Sequence, residues 1–513
     1  MAIFYAATIT LLMLSPLVYM FWHVCQIDIT FLTDILRQRA LWQALCRSIY
    51  LVLGVVGFSC FLAIPSAILL EKTNLPFRKF WYITLTLPLM IPSFAGSFAL
   101  ISAFAPHGSL LANLLNIETL PSIYGFKGAV LGISLFTFPY IFLSSQVALR
   151  SMSPNYDEVA MTFGLKNHQL LFRLWLPYLK APICAGSFLV GLYALSDFGT
   201  PTLMRYSCLT QEIYLAYSAY FDRKYASFLS LILVLLVFII LNAQKFYKAA
   251  SKSLENDRDL RKKPFRIDLG KGKFLALLWC SFVVTISLLI PTGVMIYWLS
   301  QGVEQSALGD ILTRLSSSLV IALVTGVIIV LVSYPLAYLV ERKGGLWLKV
   351  ENFVCLAASV PGIVTALSLV FLMKFFPASF YQSYAYLILA YLILFFFKSY
   401  TLLRSGITKI PSTLEDAART LGANTFQTFK KIVSPLNHSA MISSYFLVVI
   451  STLKELPVTL ILAPIGYKSL SAHIWTTTEE AFFSETALSS LLLLLFAGTF
   501  LLISFYKKNE KII

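Results

Sequence analysis

The chain has 513 residues, 58% of them hydrophobic and only 12% charged, with a mean hydropathy of +0.79 and a formal net charge of +16. A soluble domain is about half apolar and about a quarter charged, so a single water-soluble core of this size is excluded for want of polar surface. The seven cysteines (Cys25, Cys46, Cys60, Cys184, Cys208, Cys280 and Cys355) are scattered without a CxxC pair, which indicates neither a metal site nor a disulfide framework.

Uncharged windows of about 20 residues are long enough to cross a hydrocarbon core of ~30 Å as helices. They predict about twelve spans and an all-α integral membrane fold. In the first half the spans lie near 3–24, 47–70, 80–105, 128–149, 179–200 and 226–244. In the second half they lie near 274–299, 316–340, 350–373, 384–403, 437–457 and 485–506. The first apolar run lacks a basic n-region and a small-residue cleavage site, and is expected to be a retained span rather than a signal peptide.

The basic residues orient this map. With both termini cytoplasmic, 28 of the 40 Lys and Arg fall in cytoplasmic segments, nine in external loops and three (Arg47, Lys398, Lys454) at or within span ends. That bias is the positive-inside rule. The net positive charge is therefore topology and attraction to anionic lipid, not affinity for nucleic acid. Residues 1–244 form a first six-span repeat with a cytoplasmic loop at 150–178. A second repeat follows at 274–506, with its loop at 404–436, and 507–513 are a cytoplasmic tail. The polar segment 245–273 carries ten Lys and Arg and is expected to be a solvated cytoplasmic linker.

The halves match in sequence. "PSAILLEK" (Pro65 to Lys72) parallels "PLAYLVER" (Pro335 to Arg342) at an offset of 270. "DEVAMTFG" (Asp157 to Gly164) parallels "EDAARTLG" (Glu415 to Gly422) at an offset of 258, kept by Pro177 and Pro435 and by Asp197 and Glu455. Such a repeat in a membrane protein points to a transporter built from two related halves. Six spans per half make both halves enter from the same side, with the pseudo-twofold axis along the membrane normal.

Each cytoplasmic loop has the same local grammar. Ser412 with Glu415 fits a capping box, and Ser153 can cap a helix that begins at Pro154. Two acids follow in the first turn, Asp157 and Glu158 or Glu415 and Asp416, suited to the positive end of the helix dipole. Small residues come next, Val159 and Ala160 or Ala417 and Ala418. Gly164 or Gly422 ends the helix with a left-handed turn. A second helical stretch leads through Pro177 or Pro435 back into the membrane. One such helix would be a solvated connector; two copies at matching places read as a docking element.

Both stretches resemble the E-A-A–x3–G loop of inner-membrane components of binding-protein-dependent ABC importers. The first copy departs from the pattern at Val159. The resemblance covers the whole chain and implies that each loop forms a coupling helix seated in a groove of a cytoplasmic ATPase, with two ATPase copies for the two loops. It also implies a partner solute-binding protein and a place in the bacterial inner membrane. No nucleotide-binding motif occurs here, since "GKGK" (Gly270 to Lys273) lacks the upstream Gly and following Ser/Thr of a phosphate-binding loop. ATP and magnesium are accordingly expected on the partner ATPase, with no cofactor in this chain.

Asp197 lies about 20 residues beyond Pro177, or ~30 Å along a helix, near the outer end of its span. Glu455, with Lys454 beside it, has the same place in the second half. Ionisable groups at membrane depth suggest function: these could form a translocation pathway or outer mouth, or simply mark helix ends. "LSDFGTPTLM" (Leu195 to Met204) and "LKELPVTLILAP" (Leu453 to Pro464) look like segments of fused iron(III) permeases, which implies a ferric-iron-binding partner. Oxyanion permeases carry a string like the first. Fused permeases also occur in a thiamine branch, so thiamine or another small solute is the alternative. A gradient-driven secondary transporter fits less well, because "EKTNLPFRK" (Glu71 to Lys79) lacks the Gly–Asp–Arg character of that superfamily. A membrane enzyme has little support, since His23, His107, His168, His438 and His473 are far apart.

Overall fold

The computed structural model describes residues 2–250 and 265–509, except 108, 358, 359, 376, 378, 379 and 382. The tail beyond Asn509 and residues 251–264 of the linker lie outside the described residues. Among the described residues the elements are helical, apart from one isolated parallel bridge between Thr73 and Ile267.

Among the described residues, eight helices are long and apolar enough to cross a membrane: Phe4–Cys25, Arg39–Lys72, Phe126–Ser151, Asn167–Ser196, Arg223–Ala243, Gly270–Ser300, Ala307–Lys343 and Tyr384–Ile407. Three bent pairs supply the spans expected third, ninth and eleventh. The Phe483–Asn509 helix takes the place of the twelfth.

The bends have identifiable causes. Arg78–Met90 and Ser93–Phe104 meet at 98° across Ile91 and Pro92. Proline has no N–H to donate and pushes the residue before it out of the helical region, and Ile91 is extended (φ −76°, ψ 122°). Pro361 stands at the matching break between Leu346–Ala357 and Gly362–Phe375, also 98°. Thr425–Leu436 meets His438–Leu453 at 74°, whereas the first half runs unbroken from Asn167 to Ser196. Both halves carry a π-helical turn just before the loop proline, at Leu171–Trp175 and Phe429–Val433. Such turns are frequent at functional sites.

Two compact units result, and they do not coincide with the sequence repeats. One comprises Thr33–Tyr220 and Leu235–Gln301. In it the Lys273–Ser300 stretch packs on the first half: Trp279 Nε1 donates to Ser66 Oγ at 3.1 Å, and Trp298 Nε1 donates to Ser102 Oγ. Phe98, Phe138 and Phe142 are fully buried.

The other unit comprises Met1–Leu32, Phe221–Val234 and Gly302–Ile513. Its core joins Ala6, Ile9 and Met13 of the first helix to Tyr386, Tyr391, Phe396 and Tyr400 of the Tyr384–Ile407 helix. Tyr5 donates its hydroxyl hydrogen to the Val332 carbonyl. The first span of each repeat thus packs in the unit built on the other repeat.

Candidate functional site

In the first loop the Pro154–Thr162 helix begins with proline at its first position, as expected, but Ser153 makes no side-chain cap bond. In the second loop Ser412 is already helical, and no side chain caps the Ser412–Thr420 helix. The expected capping box at Ser412 is absent because Glu415 is engaged elsewhere. A capping box does form one helix later, between Asn424 and Gln427. The glycine stops are as expected: Gly164 has φ +75° and Gly422 φ +87°, values that glycine adopts without a Cβ penalty.

The two first-turn acids of each loop point opposite ways. Asp157 is 0% exposed and Glu415 2% exposed, while Glu158 and Asp416 face outward. The next pair splits alike: Val159 and Ala417 are exposed, Ala160 and Ala418 buried. Asp157 and Glu415, expected among the docking charges, therefore act from inside.

Asp157 Oδ2 lies 2.5 Å from the Lys72 ammonium, itself buried, and Oδ1 accepts from Trp175 Nε1 at 2.7 Å. The Lys72 ammonium also stands 5.8 Å from the Trp175 ring centroid, within cation–π range. In the second loop Arg342 Nε lies 2.6 Å from Glu415 Oε1, and the Tyr338 hydroxyl donates to Oε2 at 2.7 Å. The Arg342 guanidinium also donates to the Ile410 carbonyl at 2.8 Å. A charge buried without a partner is costly, so each pair fastens its loop helix to the C-terminal end of the second span of its own repeat.

The neighbouring acid of each span completes a second tie. Glu71 accepts from Gln146 Nε2 at 2.7 Å and pairs with Arg78 at 3.1 Å. Glu341 pairs with Arg404 at 3.1 Å, and Arg404 also pairs with Glu351. Gln146 and Arg404 keep the loop offset of 258. The repeated Glu–Lys and Glu–Arg dipeptides thus hold two elements each. Sequence reasoning saw this repeat but gave it no role; Trp175 and Tyr338 carried no signal.

The described end of the linker is held rather than free. Ile267 N donates to the Lys72 carbonyl at 2.8 Å and Asn74 N to the Ile267 carbonyl at 3.1 Å. Asp268 accepts from Asn74 Nδ2 at 2.5 Å.

Outward from these anchors the loop surfaces differ. The first shows Val159, Met161 and Phe163, the last 83% exposed. The second shows Asp416, Arg419 and Leu421, the last 89% exposed, with Arg419 3.6 Å from Asp416. Pro177 and Pro435 lie at the starts of Leu176–Ser196 and Ser434–Leu436.

The two outer acids sit at helix junctions. Asp197 is buried and follows the Leu176–Ser196 helix; its Oδ1 accepts from Thr200 N at 3.3 Å. Glu455 Oε1 accepts from Val458 N at 3.4 Å. Each acid therefore accepts from a backbone N–H in the first turn of the short helix that follows it. Glu455 also lies close against the backbone at the Pro361 break, where a Cβ on Gly362 would come 2.7 Å from its Oε1. Lys454 ends the His438–Leu453 helix and is half-buried.

A duplicated all-helical membrane protein with one anchored loop helix per repeat has the layout of a two-half transport permease. The chain matches the family described as binding-protein-dependent transport system inner membrane component twice, over residues 61–248 and 334–511, and it belongs to that family. It is 25% identical over 488 residues to the Fe(3+)-transport system permease protein FbpB 2 of Haemophilus influenzae, covering 94% of this chain and 93% of that one. The ferric transport system permease protein FbpB of Actinobacillus pleuropneumoniae is 22% identical, over 70% of this chain and 55% of its own length. The molybdenum transport system permease protein ModB of Escherichia coli is 25% identical over 31% of this chain and 69% of its own. The protein is thus a multi-pass permease subunit of an ABC importer, working with a binding protein and an ATPase; it is a transport subunit, and ATP hydrolysis belongs to the ATPase.

Proposed function

We propose that this chain forms the membrane pathway of an iron(III) importer of the bacterial inner membrane, with both termini cytoplasmic. A ferric-iron-binding protein delivers the cargo outside. Two copies of the ATPase, which use ATP and magnesium, bind the loops at 150–178 and 404–436. The observation that carries the cargo is the full-length match: both halves align end to end with an Fe(3+) permease, whereas the molybdenum permease spans under a third of the chain.

The loop roles divide by direction. Glu158, Val159, Asp416 and Ala417 face the ATPase. Asp157 and Glu415, with Ala160 and Ala418 behind them, hold each helix to its own half. Gly164, Gly422, Pro177 and Pro435 set the turns between docking helix and span. Closure of the ATPases then pulls on rigid levers, not on loose connectors. Asp197, Lys454 and Glu455 shape the outer mouth by fixing helix junctions.

Labelled ferric iron uptake, compared in strains carrying and lacking the gene in a background without a second iron importer, tests the cargo. Loss of uptake on deletion is expected. Unchanged uptake overturns the iron reading, and labelled thiamine or molybdate uptake then assigns the alternative. Uptake that stops without ATP but survives an uncoupler is expected for the drive.

A further inference from the structure

An apolar groove of about 370 Å³ lies between the Phe4–Cys25 span and the Gly362–Phe375 helix, within one compact unit. Leu11, Leu14, Val18 and Trp22 line it from the first span, Leu372 and Phe375 from the other helix. Thr10 and Ser15 also line it, but each hydroxyl donates to a carbonyl of its own helix, Ala6 at 2.7 Å and Leu12 at 2.8 Å. Walls of this kind suit hydrocarbon rather than water or a polar solute. From Thr10 to Trp22 the groove follows its helix for ~18 Å, about the depth of one leaflet of a ~30 Å hydrocarbon core.

Cations gather at the Trp22 end. The Lys374 ammonium lies 5.8 Å from the Trp22 ring centroid and 5.4 Å from that of Phe375, within cation–π range. The Arg223 guanidinium lies 6.0 Å from the Phe371 ring, itself 6.5 Å from the ring of Tyr19. Lys374, Arg223 and Lys224 all act electrostatically on His23, the residue after Trp22. Asp28 offsets Lys224 at 4.0 Å, whereas among the described residues no carboxylate pairs with Lys374 or Arg223. Lys374 stands at the end of the Gly362–Phe375 helix and Arg223 at the start of the Arg223–Ala243 span. Span ends lie at headgroup depth, where Trp and Tyr are enriched.

A hydrocarbon groove one leaflet deep, with uncompensated cations at its headgroup end, is complementary to a lipid that carries a negative headgroup. We infer that it binds an anionic phospholipid, one acyl chain lying along Leu11, Leu14 and Val18 and the phosphate held by Lys374 and Arg223. Helices in lipid are held by close packing. A lipid seated here fixes the first span against the helix that begins at the Pro361 break.

The test places the full-length chain in nanodiscs of phosphatidylcholine containing a varied fraction of brominated phosphatidylglycerol or brominated phosphatidylcholine. Acyl-chain bromine quenches tryptophan fluorescence on contact. The chain has eight Trp, so the difference between each protein and its Trp22→Phe counterpart isolates Trp22. Half-quenching is expected at a lower fraction of phosphatidylglycerol than of phosphatidylcholine, by about fivefold for each of Lys374 and Arg223. That is the ~1 kcal/mol that a basic residue contributes at an anionic surface. Lys374→Gln should weaken the preference about fivefold and Lys374→Arg should keep it. Both cations are exposed, so these substitutions leave the packed core untouched.

Equal quenching by the two lipids, or a preference that survives Lys374→Gln combined with Arg223→Gln, overturns the proposal. Absence of Trp22 quenching also overturns it, because the groove is then filled by something other than lipid. A brominated fatty acid that quenches at the same fraction as phosphatidylglycerol overturns the phospholipid in favour of a single-chain anion. None of these outcomes depends on the cargo.

Discussion

Asp157 and Glu415 look alike in sequence to Glu158 and Asp416, but partners 85 and 73 residues away give them the opposite direction. Helix-dipole reasoning sees only the local turn, so it assigned all four acids to the surface. Removing one member of a buried ion pair typically costs ~3–5 kcal/mol, whereas replacing both by apolar groups can be nearly neutral. Asp157→Leu alone should therefore lower the thermal stability of the purified permease and its transport. Lys72→Met added to Asp157→Leu should restore most of the stability, leaving only the Trp175 N–H without its acceptor. The measurement is the unfolding midpoint of the three variants, and a double variant less stable than either single one rejects the pairing. Arg342→Lys should cost less than Arg342→Met. It keeps a cation for Glu415 but loses the donor to the Ile410 carbonyl, an Arg-specific geometry, for about 1–3 kcal/mol.

At the scale of elements, the glycine stop was legible because a left-handed residue has a sequence signature, and Gly422 shows it with φ +87°. Valine there would be a backbone outlier, costing ~1–3 kcal/mol and re-aiming the helix relative to its span. Gly422→Val is expected to leave the amount of permease in the membrane unchanged while uncoupling ATP hydrolysis from uptake; normal coupling would reject the lever. The outward residues make a separate prediction. Phe163→Asp and Leu421→Asp remove exposed apolar contacts without touching the buried anchors. Each should reduce ATPase recovered with the tagged permease by about tenfold, equivalent to ~1.4 kcal/mol. The bends were not legible as bends. A hydropathy window is blind to direction, so Pro92 and Pro361 passed as members of straight spans, although their missing N–H groups mark the breaks.

For the whole molecule, the twofold repeat and the helical class could be read from pattern alone, because period and hydropathy report them directly. The exchange of first spans could not, since hydropathy does not say which neighbour a helix chooses. Met13 is fully buried in a core it shares with Tyr386, Tyr391 and Phe396, all from the other repeat. Trp279 and Trp298 tie the 273–300 stretch to Ser66 and Ser102 in the same manner. A helix in lipid gains nothing from burying apolar surface as such; it is held by close packing and by hydrogen bonds, and these bonds run to the opposite repeat. Cutting the chain within 251–264 should therefore leave transport intact when both fragments are made together, because each fragment still donates its first span to the other. Each fragment made alone should be degraded, with its first span unpartnered and the packing surface for the missing one bare. Copurification through a tag on one fragment checks this. Two fragments that are separately stable and do not copurify would show that each repeat packs with its own first span.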